Sequence, residues 1–357
     1  MEEVQISFDL VGSELGEDIF SEQEILLLKK GTVLKEIHVL LLQKYRFGKK
    51  VRVDLNTNKS STKEDNSPSA KYYQSIQDYI KNVFHNLYSY KEIDLLALRM
   101  QYHELIEISL CDFSILKVIQ NNGKKNDNLY QHSINVGILS AMIGKLLGYK
   151  KNDCLLLSEM GLFHDIGILG IDNNLYDVVE SCNIEEHNTA QYHTELGYNL
   201  LKDIPELNQL VPLSALQHHE RLNGNGYPNQ LKESEIPYFV QIISVASSFN
   251  AICMDLEGVS KKWNPFTGVY KLINAVSESH LNPAIVIPFV RYIMRQNLHQ
   301  YVTLSNGKEA QIIFIHENEP HQPLVKFQEV YIDLRKESSL KIVSLMDESP
   351  KEMTNYN

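Results

Sequence analysis

From residue 128 to residue 297 the chain is a succession of amphipathic segments of helical period, parted by short polar or glycine turns, with little that reads as strand. Segments of this kind can bury their apolar stripes only against one another, so the stretch predicts an all-helical core. The flanks differ from it. Residues 1–55 alternate short apolar runs with turn signals and end in the strand-like "GKKVRVDL"; with a helix near "EIHVLLLQKY" they predict a small α/β unit. Residues 56–70, "NTNKSSTKEDNSPSA", carry almost no apolar side chain and predict a flexible linker. Residues 71–127 return to helical spacing, with Ile76, Ile80, Val83, Phe84 and Leu87 on one face, and form a helical connector. Residues 298–349 contain "YVTLSNGKEAQIIF", an Asn-Gly turn between β-prone runs, and predict a β-rich tail. The fold class expected is mainly α, an all-helical core between a small N-terminal α/β unit and a β-rich C-terminal tail.

The 357 residues suffice for two or three domains, and a formal net charge of -11 argues against a surface for polymeric nucleic acid or anionic membrane. An anionic substrate would need local attraction, for which metal ions are the natural source. Cys111, Cys154, Cys182 and Cys253 form no CxxC pair and read as reduced, mostly buried thiols. "MEEVQISFDL" is not a signal peptide, and the longest uncharged stretch, Tyr238–Met254, is broken by polar residues and reads as a buried helix. The location expected is cytoplasmic, with no membrane span.

Within the helical core, "GLFHDIGILG" sets His164 and Asp165 side by side among apolar residues. Leu156, Met160 and Phe163 precede His164 at helical spacing, so the imidazole projects from an apolar face at a helix end that Gly167 helps to terminate. A lone histidine there would be an ordinary core residue, but a buried carboxylate beside it needs partners. His132 opens "HSINVGILSAMIGKLLG", His193 opens "HTELGYNLL", and His218 and His219 stand together before a glycine-rich turn. Imidazole nitrogen and carboxylate oxygen are ligands for zinc, manganese or iron, and a carboxylate can bridge two such ions. Other histidines, such as His38, His85, His103, His187, His280 and His321, lack this context.

On "YQHS" (130–133), "LFHDIG" (162–167), "HTELGYNLL" (193–201) and above all "HHERLNGNGYP" (218–228), residues 128–297 resemble the HD-GYP subgroup of the HD-domain metal phosphohydrolases. The resemblance implies a metal centre held by His132, His164, Asp165, His193, His218 and His219, with Asp165 bridging and catalytic. It implies two transition-metal ions (Fe, Mn or Zn), hydrolysis of cyclic di-GMP to pGpG or GMP in bacterial second-messenger signalling, and a substrate pocket shaped by Arg221, Gly224, Gly226, Tyr227 and Pro228. A homodimer or a signalling-protein partner is compatible with it.

The chain departs from the family pattern in one direction. Ile168 stands where a lysine is usual, Ser247 and Asn250 where aspartates are usual, Asn223 in place of the aspartate of DGxGYP, and Asn128 where trinuclear members carry glutamate. No arginine answers the family's in "CMDLEGVSKKW" (253–263). One metal position thus keeps a full ligand set and the second is expected to be weak. Two functions follow: a phosphodiesterase of weakened activity, or a catalytically degenerate domain that binds a nucleotide or a protein.

Overall fold

Apolar residues recur every third or fourth position from Tyr73 to Leu87, and in the computed structural model this run is helix α1 (Pro68–Tyr88), which buries Tyr73, Ile76, Ile80, Val83, Phe84 and Leu87. The structure describes residues 68–111, 128–171, 191–254, 264–337 and 339–346, together with 2–5, 13–20, 26–32, 50–54 and the single positions 10, 34, 38, 42 and 119. The chain divides into two units, Met1–Glu64 and Asp65–Asn357. Most of the span read as linker, residues 56–67, lies outside the described residues, and α1 begins three residues inside that span, at Pro68.

In the first unit β1 (Glu2–Gln5), β5 (Lys50–Asp54) and β2 (Glu14–Leu15) form an antiparallel sheet in that order, and β3 (Ile19–Phe20) pairs with β4 (Leu26–Leu28). Leu10, Leu15, Ile19, Leu34, Leu42, Val51 and Val53 make a core of its own. Of the helix expected near Glu36–Tyr45, only His38 and Leu42 are described, both helical.

The second unit is helical from α1 through α2 (Leu95–Cys111), α3 (Asn128–Leu146), α4 (Lys151–Phe163), α5 (His193–Leu201), α6 (Leu210–Gln217), α7 (Tyr238–Met254), α8 (Pro265–Ser277) and α9 (Pro283–Arg295). The uncharged stretch Tyr238–Met254 is α7, with Val240, Ile242, Ile243, Val245, Ala246 and Phe249 buried. Among the described residues, no helix is long and apolar enough to cross a membrane. The tail is a five-stranded antiparallel sheet in the order β10 (Ile342–Leu345), β6 (Tyr301–Leu304), β7 (Glu309–Phe314), β8 (Leu324–Phe327), β9 (Val330–Asp333). Gly307, at φ +79°, makes the Asn-Gly turn between β6 and β7. Val302, Leu304, Ala310, Ile312 and Val325 face the helical core, so sheet and helices share one interior.

Glycine sets how closely the central helices approach. A methyl group at Gly161 of α4 would lie 2.8 Å from Cα of Gly137 on α3. This contact lies within a turn or so of both His132 and His164, so it governs how near the two imidazoles come. Gly167 does not end α4, as its place in the sequence leads one to expect. Helix α4 ends at Phe163 with His164 as its cap, before Gly167 is reached, and Gly167 lies in a short 3-10 turn (Ile166–Gly170). Its bare Cα is needed for packing, because a methyl there would fall 1.9 Å from the carbonyl oxygen of His193 and 2.5 Å from the amide nitrogen of Gly197. From the other side Phe84 of α1 stacks on Phe163, centroids 5.7 Å apart, immediately before His164.

Candidate metal centre

Four helix ends converge on Asp165. His132 lies in the first turns of α3, His164 caps α4, His193 begins α5, and His218 caps α6 with His219 next in line. Nε2 of His164 stands 3.1 Å and Nε2 of His132 3.4 Å from Oδ2 of Asp165, while Nε2 of His218 stands 3.1 Å and Nε2 of His193 3.4 Å from Oδ1. Each carboxylate oxygen therefore serves its own pair of imidazoles. Ligand atoms of Asp165, His193, His218 and His219 lie within 4.8 Å of one another, and so do those of His132, His164 and Asp165. The six residues of the expected set are brought together, five of them buried and His219 partly so.

The protons are arranged for ligation. Nδ1 of His164 donates to the carbonyl of Gly161 at 2.7 Å, and Nδ1 of His218 donates to the carbonyls of Ser214 and Ala215 at 3.0 and 3.1 Å. Both rings therefore present the Nε2 lone pair to the cluster. His132 is held differently. Its Nδ1 lies 2.8 Å from the side-chain amide of Asn250, which can meet a ring nitrogen with its NH2 or, turned over, with its oxygen, so it does not settle the tautomer as a backbone carbonyl does. The hydroxyl of Ser247 stands 3.4 Å from Nε2 of His132.

Burial pushes His132 down to about 3 and His218 down to about 4, with neighbouring imidazoles adding to the effect, and it holds His219 well below the ordinary histidine range. These rings are neutral at pH 7. Burial opposes ionisation of Asp165, but the imidazoles of His164, His193 and His218 outweigh it and hold the carboxyl well below the usual carboxylate range. Its Oδ1 is buried without a hydrogen-bond donor of good geometry. A buried anionic oxygen in that state, ringed by imidazole Nε2 atoms, fits a cation between the rings and the carboxylate.

The glycine-rich turn sits beside this cluster. The ring of Tyr227 stacks on His219 at 4.5 Å and 17°. Gly226 is buried with its Cα against the backbone of residues 219–221. Gly224 turns the chain at φ +82°, near Gln230 and Lys232. Arg221 uses Nη1 to bond the carbonyls of His218 and Glu220 at 3.3 and 3.1 Å, and Pro228 is half-buried in the same loop. Ile168 is 8% exposed in the 3-10 turn and contributes only hydrocarbon. Elsewhere His103 pairs with Glu159 at 2.8 Å and His280 with Glu278 at 3.1 Å, while His187 and most of residues 253–263 lie outside the described residues. Two residues without an assigned role in the sequence reading prove to hold the site: Ser214, bonded to the carbonyls of Met160 and Val211, and Ser244, which donates to the carbonyl of His218 at 2.8 Å.

Residues 119–285 match the family described as HD domain. Over 229 residues the chain is 25% identical to the cyclic di-GMP phosphodiesterase PdeB of Borreliella burgdorferi, covering 63% of this chain and 60% of that protein. Over 181 residues it is 30% identical to a cyclic di-GMP phosphodiesterase of Thermotoga maritima, covering 50% and 49%. The chain thus spans about half to three-fifths of the length of these relatives. A solved HDG"Y"P protein of Bdellovibrio bacteriovorus shares the fold, with TM-score 0.52 and 19% identity over 82% of this chain and 100% of that one. Residues 119–285 are thus similar to HD domains, and all six residues of the histidine–aspartate cluster, which could hold metal ions, lie within them. The "HHERLNGNGYP" segment, on which the sequence resembles the HD-GYP proteins, lies within the matched residues.

Proposed function

We propose that the chain is a metal-dependent phosphodiesterase that opens cyclic dinucleotides, with cyclic di-GMP as the first substrate to test and pGpG or GMP as product. The observation that supports this most directly is the double use of Asp165, whose two oxygens face two separate pairs of imidazoles. Divalent ions held there would supply Lewis acidity toward a phosphoryl group and acidify water. The chain's own part is to bind and orient. His193, His218, His219 and Asp165 offer a complete ligand set of three imidazoles and one carboxylate. His132, His164 and Asp165 offer a smaller one, completed only by the neutral hydroxyl of Ser247. Tyr227, Gly226 and Pro228 would wall the pocket beside His219, and Arg221 would contribute positive charge to that wall.

A second reading is favoured by Ile168 and Ser247: a domain that binds a cyclic dinucleotide or a protein partner with little turnover. The two readings separate in one experiment. Protein purified without chelator is analysed for metal and assayed for cyclic di-GMP cleavage, in parallel with His219→Ala. Bound transition metal, reduced in the variant, and a product that appears only with metal support the phosphodiesterase. Metal with no product supports the binding domain, and protein without metal refutes both assignments of the cluster.

A further inference from the structure

Glu220 follows the two histidine ligands directly, yet it turns away from the metal centre. It is 2% exposed, and its carboxylate accepts the backbone N–H of Asn229 at 2.7 Å through Oε1 and of Leu231 at 2.9 Å through Oε2. Both oxygens are thus committed to the far end of the glycine-rich loop. At the near end, the N–H of Tyr227 donates to the carbonyl of His219 at 3.3 Å, and Gly226 lies so close that a methyl there would be 2.4 Å from Cα of Glu220. The chain leaves His219, makes its turn at Gly224, returns across Glu220 at Gly226 and is fastened by the carboxylate two to four residues beyond Tyr227. The Tyr227 ring then lies at 4.5 Å over His219.

We infer that Glu220 is a positioning residue for the substrate pocket: it clamps the return strand of the loop and so fixes the Tyr227 ring against the metal-ligand imidazole, without itself holding metal. A neutral side chain of the same shape cannot replace it. Glutamine has one acceptor oxygen, so in Glu220→Gln the NH2 group would face an N–H donor, and one of the two loop amides would lose its acceptor in a buried place. The carboxylate bonds are also the stronger kind, between a charged acceptor and backbone donors. The small polar hollow on the other side, lined by Gln241, Ser244, His280 and Asn282 among others, gives the freed loop no new anchor of like charge. This inference rests on the proposed function for its catalytic consequence but not for its structural one.

The test uses the full chain with Glu220→Gln and, separately, Tyr227→Ala, which leaves the clamp in place. Hydrogen exchange is followed on peptides spanning 226–232, metal content by elemental analysis, and kcat and KM on cyclic di-GMP. In Glu220→Gln, exchange in this peptide is expected to quicken by about tenfold or more, the factor expected when one hydrogen bond to a charged group is lost. Bound metal should equal wild type, and KM should rise more than kcat falls. Tyr227→Ala should reproduce the KM change with slow exchange at Asn229 and Leu231 retained. Unchanged exchange in Glu220→Gln overturns the inference whatever the kinetics, and so does loss of metal in a variant that remains folded. If Glu220→Gln does not fold, Tyr227→Ala decides alone, and an unaltered KM in it overturns the inference. Should wild type cleave no cyclic di-GMP, the proposed function fails, while the exchange and metal measurements still decide the role of Glu220; if Glu220→Gln then also fails to fold, the Kd of Tyr227→Ala for cyclic di-GMP stands in for KM, and a Kd equal to that of wild type overturns the inference.

Discussion

Replacing Ser247 with aspartate separates a weak second metal position from a merely different one. The Ser247 hydroxyl lies 3.4 Å from Nε2 of His132, on a residue 9% exposed, so an aspartate there would place a carboxylate at the edge of the His132, His164 and Asp165 group. Without metal that carboxylate is costly. It is desolvated and lies near the ionised Asp165, and leaving a buried charge uncompensated costs about 3–5 kcal/mol. With a divalent ion the sign reverses: a unit charge pair at about 4 Å is worth about 4 kcal/mol at an effective dielectric constant near 20. A surviving fraction of even one-third to two-thirds of that amount corresponds to an affinity gain of about 10- to 100-fold.

Ser247→Asp is therefore expected to melt lower than wild type in chelator, to match or exceed it in saturating manganese or zinc, and to carry more metal per chain after gel filtration. Thermal unfolding with and without metal, together with elemental analysis, checks each statement. A variant whose melting temperature responds to metal no more than wild type, with unaltered stoichiometry, refutes the reasoning; Ser247 would then not stand at a metal position.

Three further outcomes are expected. Ile168→Lys added to Ser247→Asp should raise cyclic di-GMP cleavage above wild type, since it places a cation where the 3-10 turn now offers only hydrocarbon; a steady-state assay decides. Gly167→Ala should cost about 3 kcal/mol or more of stability and most of the bound metal, because its methyl would strike the carbonyl of His193, as denaturant melts and elemental analysis will report. Glu159 is held below the usual carboxylate range although burial raises it, because His103 and a two-pronged pair with Arg99 at 2.9 and 3.0 Å prevail. A depressed carboxyl stabilises the fold above its unfolded pKa and ceases to do so as pH falls through the folded one. The melting-temperature gap between wild type and Glu159→Gln should thus be open at pH 7 and close below about pH 4.

Much of the candidate site could be read in the sequence because its candidate ligands stand at helix ends, where local rules apply. His164 follows an apolar stripe, His193 opens a helix, and His218 ends one before glycines. The buried α7 and the Asn-Gly hairpin were legible for the same reason, period and turn chemistry being local. What escaped depends on contacts between distant segments. Gly167 looked like a helix stop, and its packing on His193 is written 26 residues away in a different helix. The Arg99–Glu159 pair joins residues 60 positions apart, and neither charge stands out among its neighbours in sequence.

The two halves of the centre differ in how their histidines are oriented, and this connects the sequence departures to chemistry. His164 and His218 are aimed by backbone carbonyls, which only accept, so their Nε2 atoms are committed to the centre. His132 is aimed by Asn250, at a position where the family pattern that the sequence resembles has aspartate. A carboxylate would accept the Nδ1 proton and make the ring a better donor to metal, whereas an amide permits either tautomer and adds no charge. Ser247 and Asn250 therefore act on the same imidazole, one from each nitrogen, and both leave it neutral. Two of the lost carboxylates thus fall on His132. His193, His218 and His219 retain buried or partly buried rings around Asp165, so an ion beside Tyr227 would find the fuller ligand set.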